Sequence, residues 1–111
     1  MALSRENRLT QKKDFDIIFK EGSTIKGNSL FIKYKQNHLS NPRFAFIVPI
    51  KVTHNVVIRN RVKRQLSESI RQNINKIGSS YDIVVTVKKK DKEDVLKLEL
   101  LNLLNKANIL K

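Results

Sequence analysis

The segment YDIVVTV, from Tyr81 to Val87, decides the fold of this chain. It is a nearly continuous apolar run of strand length, and its flanks are polar. Such a run is typical of a strand that is buried in the middle of a sheet rather than at its edge. We therefore predict an inner β-strand over Tyr81–Val87, and the other elements are identified outward from it.

The segment before this strand has the period of an amphipathic helix. It begins with VVIRNRVKRQLSESIRQN, and the helix is predicted to run from about Val56 to Ile77, where Gly78 ends the pattern. The apolar positions that recur every fourth residue are Val62, Leu66, Ile70 and Ile74. We expect this stripe to face the core.

Two further strands are predicted upstream of the helix. SLFIKYK at Ser29–Lys35 and RFAFIVP at Arg43–Pro49 are rich in β-branched and aromatic residues. The sequence NHLSNP between them has the composition of a turn. We therefore predict that these two strands form a hairpin.

Helices are predicted at both ends of the chain. Thr10 is the expected cap of a first helix that carries Phe15, Ile18 and Phe19 on one face and stops at Gly22. Asp91 is the expected cap of the last helix. Its apolar face contains Leu96, Leu100, Leu103, Leu104 and Ala107. The predicted order is α-β-β-α-β-α, an α+β fold in one domain over residues 1–111.

Charge is the strongest functional signal in the composition. The chain has 111 residues with 40% hydrophobic residues, enough for one modest core. Lys and Arg number 23 against 10 Asp and Glu, a net charge of +13 that indicates a polyanionic partner, first of all nucleic acid. Long apolar runs, a signal-like start and cysteine are all absent, so we expect a cytoplasmic location and no membrane partner.

The positive charge is concentrated at the start of the long helix. Arg59 and Lys63 lie over the first turns of the apolar stripe, where long side chains can snorkel past the core. The residues that point away from the stripe are Asn60, Arg61, Arg64 and Arg71. Cations at a helix N-terminus oppose the macrodipole, so a purely structural role would favour acids at these positions. The cluster therefore predicts a polyanion-binding face rather than a solvated one.

The aromatic residues are ambiguous by composition. Phe15 and Phe19 are four residues apart on the first helix, and Tyr34 lies in a strand that alternates Phe31 and Lys33 with Ile32 and Tyr34. Aromatic residues at helical spacing are more often core than ligand platform. Only exposed rings combined with cations would indicate a surface on which bases stack. The candidate cations are Lys33, Lys35 and Lys51.

The residue pattern predicts neither a metal site nor a catalytic site in the protein. Asp14 and Asp16 diverge on a helix, and His38 and His54 fall in separate loops, where we expect surface residues. Two non-enzymatic interpretations remain: an RNA-binding protein of ribosomal type, and a DNA-binding helix. The second needs a helix that presents base-reading side chains, whereas the stripe commits this helix to the core.

Three segments together resemble the protein subunit of bacterial ribonuclease P, the ribonucleoprotein that removes the 5′ leader of precursor tRNA. They are RLTQKKDFDIIFKEG at 8–22, NSLFIKYK at 28–35 and RNRVKRQLSES at 59–69. The resemblance implies an α/β sandwich related to a ribosomal-protein domain, with a left-handed β-α-β crossover. General handedness rules favour the right-handed form. The resemblance also implies that the RNA subunit and its bound Mg²⁺ do the chemistry, with no metal held by the protein alone.

The same resemblance assigns roles to individual residues. The implied contacts with the RNA subunit are Arg59, Asn60, Arg61, Lys63 and Arg64, with Arg71 in place of an Arg that many members carry where Ser67 stands. The implied contacts with the precursor leader are Phe15, Phe19 and Tyr34, and the candidate cations Lys33 and Lys51 are assigned to the same leader-binding site. The chain departs from the family pattern at Pro49–Ile50, at Ser67 and by one extra residue near His54. The partners implied are ribonuclease P RNA and precursor tRNA.

Overall fold

A computed structural model describes residues 3–78 and 80–110 of the chain. It contains three α-helices, four strands and two short 3₁₀ helices. The helices and strands are α1 (Lys12–Glu21), β1 (Ser23–Lys26), β2 (Leu30–Gln36), β3 (Arg43–Ile47), α2 (Val56–Gln72), β4 (Tyr81–Val87) and α3 (Glu93–Lys106). The 3₁₀ helices are Arg5–Asn7 and Ile74–Lys76.

The four strands form one sheet in the order β1-β2-β4-β3. β4 lies inside the sheet, where Val85 is opposite Ile32 of the antiparallel β2 and Phe46 of the parallel β3. The prediction of an inner strand over Tyr81–Val87 is confirmed with its bounds. The handedness of the β3-α2-β4 crossover stays a prediction.

Helices cover both faces of the sheet. On one face, Ile83 and Val85 of β4 join a core with Leu66 of α2 and Leu100 of α3. On the other face, Val84 packs with Ile18 of α1 in a smaller cluster. The α+β class is confirmed, with α1 in one layer and α2 and α3 in the opposite layer.

The strand pairing differs from the predicted hairpin. β4 separates β2 from β3, so these two strands are not neighbours. The hairpin that the sheet does contain joins β2 to β1, a strand missing from the prediction, through the turn at 27–29. The turn composition of the segment between β2 and β3 suggested that these two strands pair directly. They do not, because β4 is apolar on both faces and takes the inner position between them.

Three helix boundaries also differ from the prediction. α2 ends at Gln72, where the Asn73 side chain donates to the carbonyl of Ser69. α1 begins at Lys12 with Gln11 in the N-cap position, so the prediction of Thr10 as the cap is wrong. Lys92 occupies the N-cap position of α3, so the prediction of Asp91 is wrong as well.

Asp91 instead joins a hydrogen-bond network around the buried Ser29. The Ser29 hydroxyl donates to Asp91 at 2.8 Å, and its backbone N–H donates to the Glu99 carboxylate of α3 at 2.8 Å. Lys88 donates its backbone N–H to the Ser29 carbonyl at 2.7 Å. The bond from Ser29, with that from the Lys92 backbone, lowers the pKa of Asp91. The network fixes the basic turn after β4 against the β1–β2 turn.

The core of α3 yields a test of the fold. Leu100 is fully buried, whereas Leu98 on the same helix is 62% exposed. Leu100→Ala should lower the free energy of unfolding by about 2–5 kcal/mol, because it leaves a cavity under the sheet. Leu98→Ala is the matched control and should change it by less than about 0.5 kcal/mol in urea denaturation. Equal effects of the two variants would contradict the packing of α3.

Candidate nucleic-acid interface

The outer side of α2 carries a row of polar and cationic side chains. Asn60, Arg61 and Arg64 are exposed, while Arg59 and Lys63 are half-buried. These five residues are called the basic face below. The buried stripe of α2 includes Leu66 and Ile70, so core packing turns the basic face toward solvent.

The cations of the basic face are not neutralised within the described residues. Within residues 3–78 and 80–110, the ion pairs include none of Arg59, Arg61, Lys63 and Arg64. The first turn of α2 also lacks an acidic residue. Their unscreened charge is therefore directed at whatever approaches this side of the helix.

Arg71 differs from the other cations of α2. Its guanidinium donates to the carboxylate of Glu68, one turn earlier on the same helix. The hydrogen bond raises the pKa of Arg71 and lowers that of Glu68. Arg71 thus projects a weaker field into solvent than Arg61 or Arg64.

Ser67 is buried, and its hydroxyl donates to the Arg64 carbonyl at 3.0 Å.

A groove lies on the opposite face of the sheet, beside α1. The rings of Phe15 and Phe19 are 6.2 Å apart, and Phe19 is 47% exposed. Lys33 of β2 places its Nζ 5.9 Å from the centroid of the Phe19 ring and donates to the Phe19 carbonyl at 3.2 Å. One lysine therefore holds the C-terminal end of α1 and contacts the aromatic surface.

Lys33 also lines a cavity of about 600 Å³ on the same face of the sheet. The cavity is lined by Thr24, Lys26, Phe31, Lys33 and Lys88. The name aromatic groove is used below for Phe15, Phe19, Phe31, Lys26, Lys33 and Lys88. Lys26, Phe31 and Lys88 were absent from the sequence-based site. The basic turn Lys88–Lys90 was a visible signal, whereas Lys26 reaches the groove only because β1 pairs with β2.

Tyr34 lies on the other face of the sheet from the aromatic groove. It packs against the core under α2 and α3, and its ring meets Tyr81 edge-on at 6.4 Å. Lys33 and Tyr34 are consecutive in β2, so their side chains point to opposite faces. The structure therefore brings Phe15, Phe19 and Lys33 together and separates Tyr34 from them, and Phe31 supplies the strand aromatic of the groove.

Lys51 is exposed in the turn between β3 and α2, and its contact with the precursor leader stays a prediction. It lies outside the set of residues that line the cavity of the aromatic groove. Lys35, the other candidate cation, has its Nζ 3.8 Å from the Glu21 carboxylate.

A partly buried ionic cluster fixes α1 on the sheet. Arg43 of β3 donates through Nε and Nη2 to both carboxylate oxygens of Asp82 in β4, at 2.8 and 2.7 Å. Its Nη1 lies 3.4 Å from Asp14 of α1, the residue next to Phe15. The hydrogen bond to Asp82 raises the pKa of Arg43. This cluster and the Lys33 contact hold the two ends of α1 and so set the position of Phe15 and Phe19.

Chemistry-bearing groups are dispersed in the described structure. Residues 3–78 and 80–110 contain no group of three or more His, Asp or Glu side chains that could hold a metal ion. His38 and His54 are exposed in different connections. In the same part of the chain, no helix combines the length and apolarity that a membrane span requires. The arrangement offers charge, aromatic surface and hydrogen-bond donors, which are the means of binding RNA.

Comparison with known proteins identifies the family. The family model described as Ribonuclease P matches residues 3–108. The ribonuclease P protein component of Fusobacterium nucleatum is 40% identical over 89 residues, which cover 80% of this chain and 79% of that protein. The corresponding component of Alkaliphilus metalliredigens is 34% identical over 111 residues, which cover 97% of this chain and 99% of that protein.

A solved structure agrees with these sequence matches. The ribonuclease P protein from Thermotoga maritima superimposes with a TM-score of 0.81 at 29% identity, covering 89% of this chain and 96% of that one. The resemblance inferred from the sequence is confirmed, and the chain belongs to the ribonuclease P protein family.

Proposed function

We propose that the basic face of α2 binds the RNA subunit of ribonuclease P. The observation that carries this proposal is a row of cations along the solvent side of α2. Among the described residues, these cations have no ion-pair partners. Arg is suited to phosphate because its planar group donates two parallel hydrogen bonds. Asn60, between two arginines, adds a neutral donor and acceptor for ribose or base edges.

The aromatic groove is proposed to hold the single-stranded 5′ leader of precursor tRNA. Bases of any sequence can stack on the exposed ring of Phe19 and the neighbouring rings of Phe15 and Phe31. Lys26, Lys33 and Lys88 are placed along the same groove to neutralise the leader phosphates. The two binding surfaces lie on opposite faces of the sheet, so one protein can contact catalytic RNA and substrate together.

The protein is proposed to assist cleavage rather than to perform it. Magnesium ions need clustered oxygen ligands, and the described carboxylates are engaged in ion pairs or hydrogen bonds or are dispersed over the surface. We therefore assign Mg²⁺ and the hydrolytic chemistry to the RNA subunit. The contribution of this chain is electrostatic attraction and positioning of the substrate.

Reconstitution tests the proposed function. Added to a bacterial ribonuclease P RNA at low Mg²⁺, the protein should stimulate removal of the leader, because its cations replace part of the charge screening that Mg²⁺ supplies. The protein alone, freed of RNA and contaminating nucleases, should leave precursor tRNA intact at every Mg²⁺ concentration. Lack of stimulation would refute the subunit role, and cleavage by the protein alone would refute the assignment of chemistry to RNA.

The salt dependence of RNA binding tests the basic face. Each phosphate neutralised contributes about −0.7 to −0.9 to the slope of log K against log salt. The double variant Arg61→Ala/Arg64→Ala should flatten this slope by roughly one to two units. Arg71→Ala, a matched control on the same helix, should change the slope less because Glu68 already engages that guanidinium. An unchanged slope in the double variant would show that the basic face lies outside the interface with the RNA subunit.

Leader preference tests the aromatic groove. Phe15→Leu and Phe19→Leu keep apolar volume but lose the flat ring. Each should therefore weaken the binding of leader-bearing tRNA to the reconstituted enzyme by on the order of 1 kcal/mol. The affinity for leaderless tRNA should stay unchanged in both variants. The melting temperature should stay unchanged in Phe19→Leu, whose ring is exposed, and should fall in Phe15→Leu, because Phe15 also packs against the Ile18 cluster under α1. Tyr34→Leu removes a ring on the opposite face of the sheet and is the matched control, which should have no effect on the ratio of the two affinities. A double variant that still prefers the leader would contradict the groove assignment.

A further inference from the structure

The first turn of α2 exposes two adjacent valines. Val56 is 56% exposed and Val57 is 65% exposed. Single apolar side chains on a surface are ordinary, but the first turn of a helix favours acidic and small polar residues. Two β-branched apolar residues at this place contribute little to helix stability or to the core.

The valines are continuous with the basic face. Val57, Asn60, Arg61 and Arg64 are spaced as i, i+3, i+4 and i+7, so they form one row along the helix, and all four are exposed. Val56 has the same relation to Arg59, Asn60 and Lys63. The surface that carries the cations therefore begins with an apolar patch.

Two backbone N–H groups at this helix end are already capped by a side chain. The Asn55 side chain accepts hydrogen bonds from the N–H groups of Val57 at 2.9 Å and Ile58 at 3.2 Å. These donors are consequently not open to a phosphate, although a bare helix N-terminus would attract one. The exposed side chains of this turn are those of Val56 and Val57, so the turn presents their methyl groups to a partner.

We propose that Val56 and Val57 form an apolar contact with an unstacked nucleotide of the RNA subunit, next to the phosphates bound by the basic face. This inference rests on the proposed function. RNA complements both parts of the surface, since its phosphates match the cations and its bases and riboses match the methyl groups. A second copy of this chain fits poorly, because a net charge of +13 on each copy opposes association through a surface bordered by arginines.

The dependence of binding on salt distinguishes this contact from the ionic ones. Burial of apolar surface releases no condensed counterions, so it adds affinity without adding to the salt slope. The double variant Val56→Ser/Val57→Ser should bind a bacterial ribonuclease P RNA transcript about three- to tenfold more weakly at every salt concentration. The slope of log K against log salt should equal that of the unmodified protein.

Matched variants make the test specific. Val56→Ile/Val57→Ile keeps the apolar surface and should retain full affinity, and Leu98→Ser, equally exposed on α3, should have no effect. Unchanged affinity in the serine variant would overturn the inference, as would a loss accompanied by a changed slope. A protein dimer that the serine variant dissociates, with RNA affinity intact, would assign the patch to protein contact and also overturn it.

The same titrations separate this inference from the function on which it rests. If Arg61→Ala/Arg64→Ala flattens the slope while the serine variant binds normally, only the apolar contact is refuted. If neither variant changes binding, α2 lies outside the interface and the proposed function of the basic face fails as well.

Discussion

The pairing of β4 with β3 in parallel is the constraint on which the rest of the structure depends. Parallel neighbours cannot be joined by a tight turn, so the chain between Ile47 and Tyr81 has to return along the sheet. α2 is that return, and its stripe must pack on the sheet that it crosses. The cations interspersed with the stripe are thereby directed outward, which is how a requirement of topology creates the basic face.

β4 also organises the second surface. Its residues alternate between the large core under α2 and α3 and the smaller cluster under α1. Asp82 at the start of β4 holds Arg43, which in turn lies close to Asp14 of α1. These side chains are only partly exposed to solvent, so breaking their ion pairs is costlier than breaking a surface pair, and the contact restrains α1 over the sheet. The position of Phe15 and Phe19 therefore depends on the same strand that dictates the path of α2.

Apolar periodicity was sufficient to predict the three helices, and strand composition and a continuous apolar run were sufficient for three of the strands, because each of these signals is local. Strand pairing was not predictable in the same way. The neighbour of β2 in the sheet is β4, and β3 and α2 lie between these two strands in the sequence. β1 escaped prediction because it is a short edge strand with mostly exposed side chains, so it lacks the apolar signal of an inner strand. The prediction of Asp91 as the cap of α3 failed because Asp91 accepts a hydrogen bond from Ser29, a residue distant in the sequence.

The candidate site shows the same division between local and non-local information. The basic face was predicted residue by residue, since one helix contains all of it. The Lys33–Tyr34 alternation already implied that both residues cannot line one groove, whereas the convergence of Lys26, Phe31 and Lys88 depends on the register of three strands. Charge at this density attracts any RNA, so discrimination has to come from short-range contacts that charge cannot supply. The exposed ring of Phe19 beside α1 and the valines that begin α2 are apolar surfaces next to cations on opposite faces of the sheet. In the function proposed above, these are the contacts that supply the discrimination.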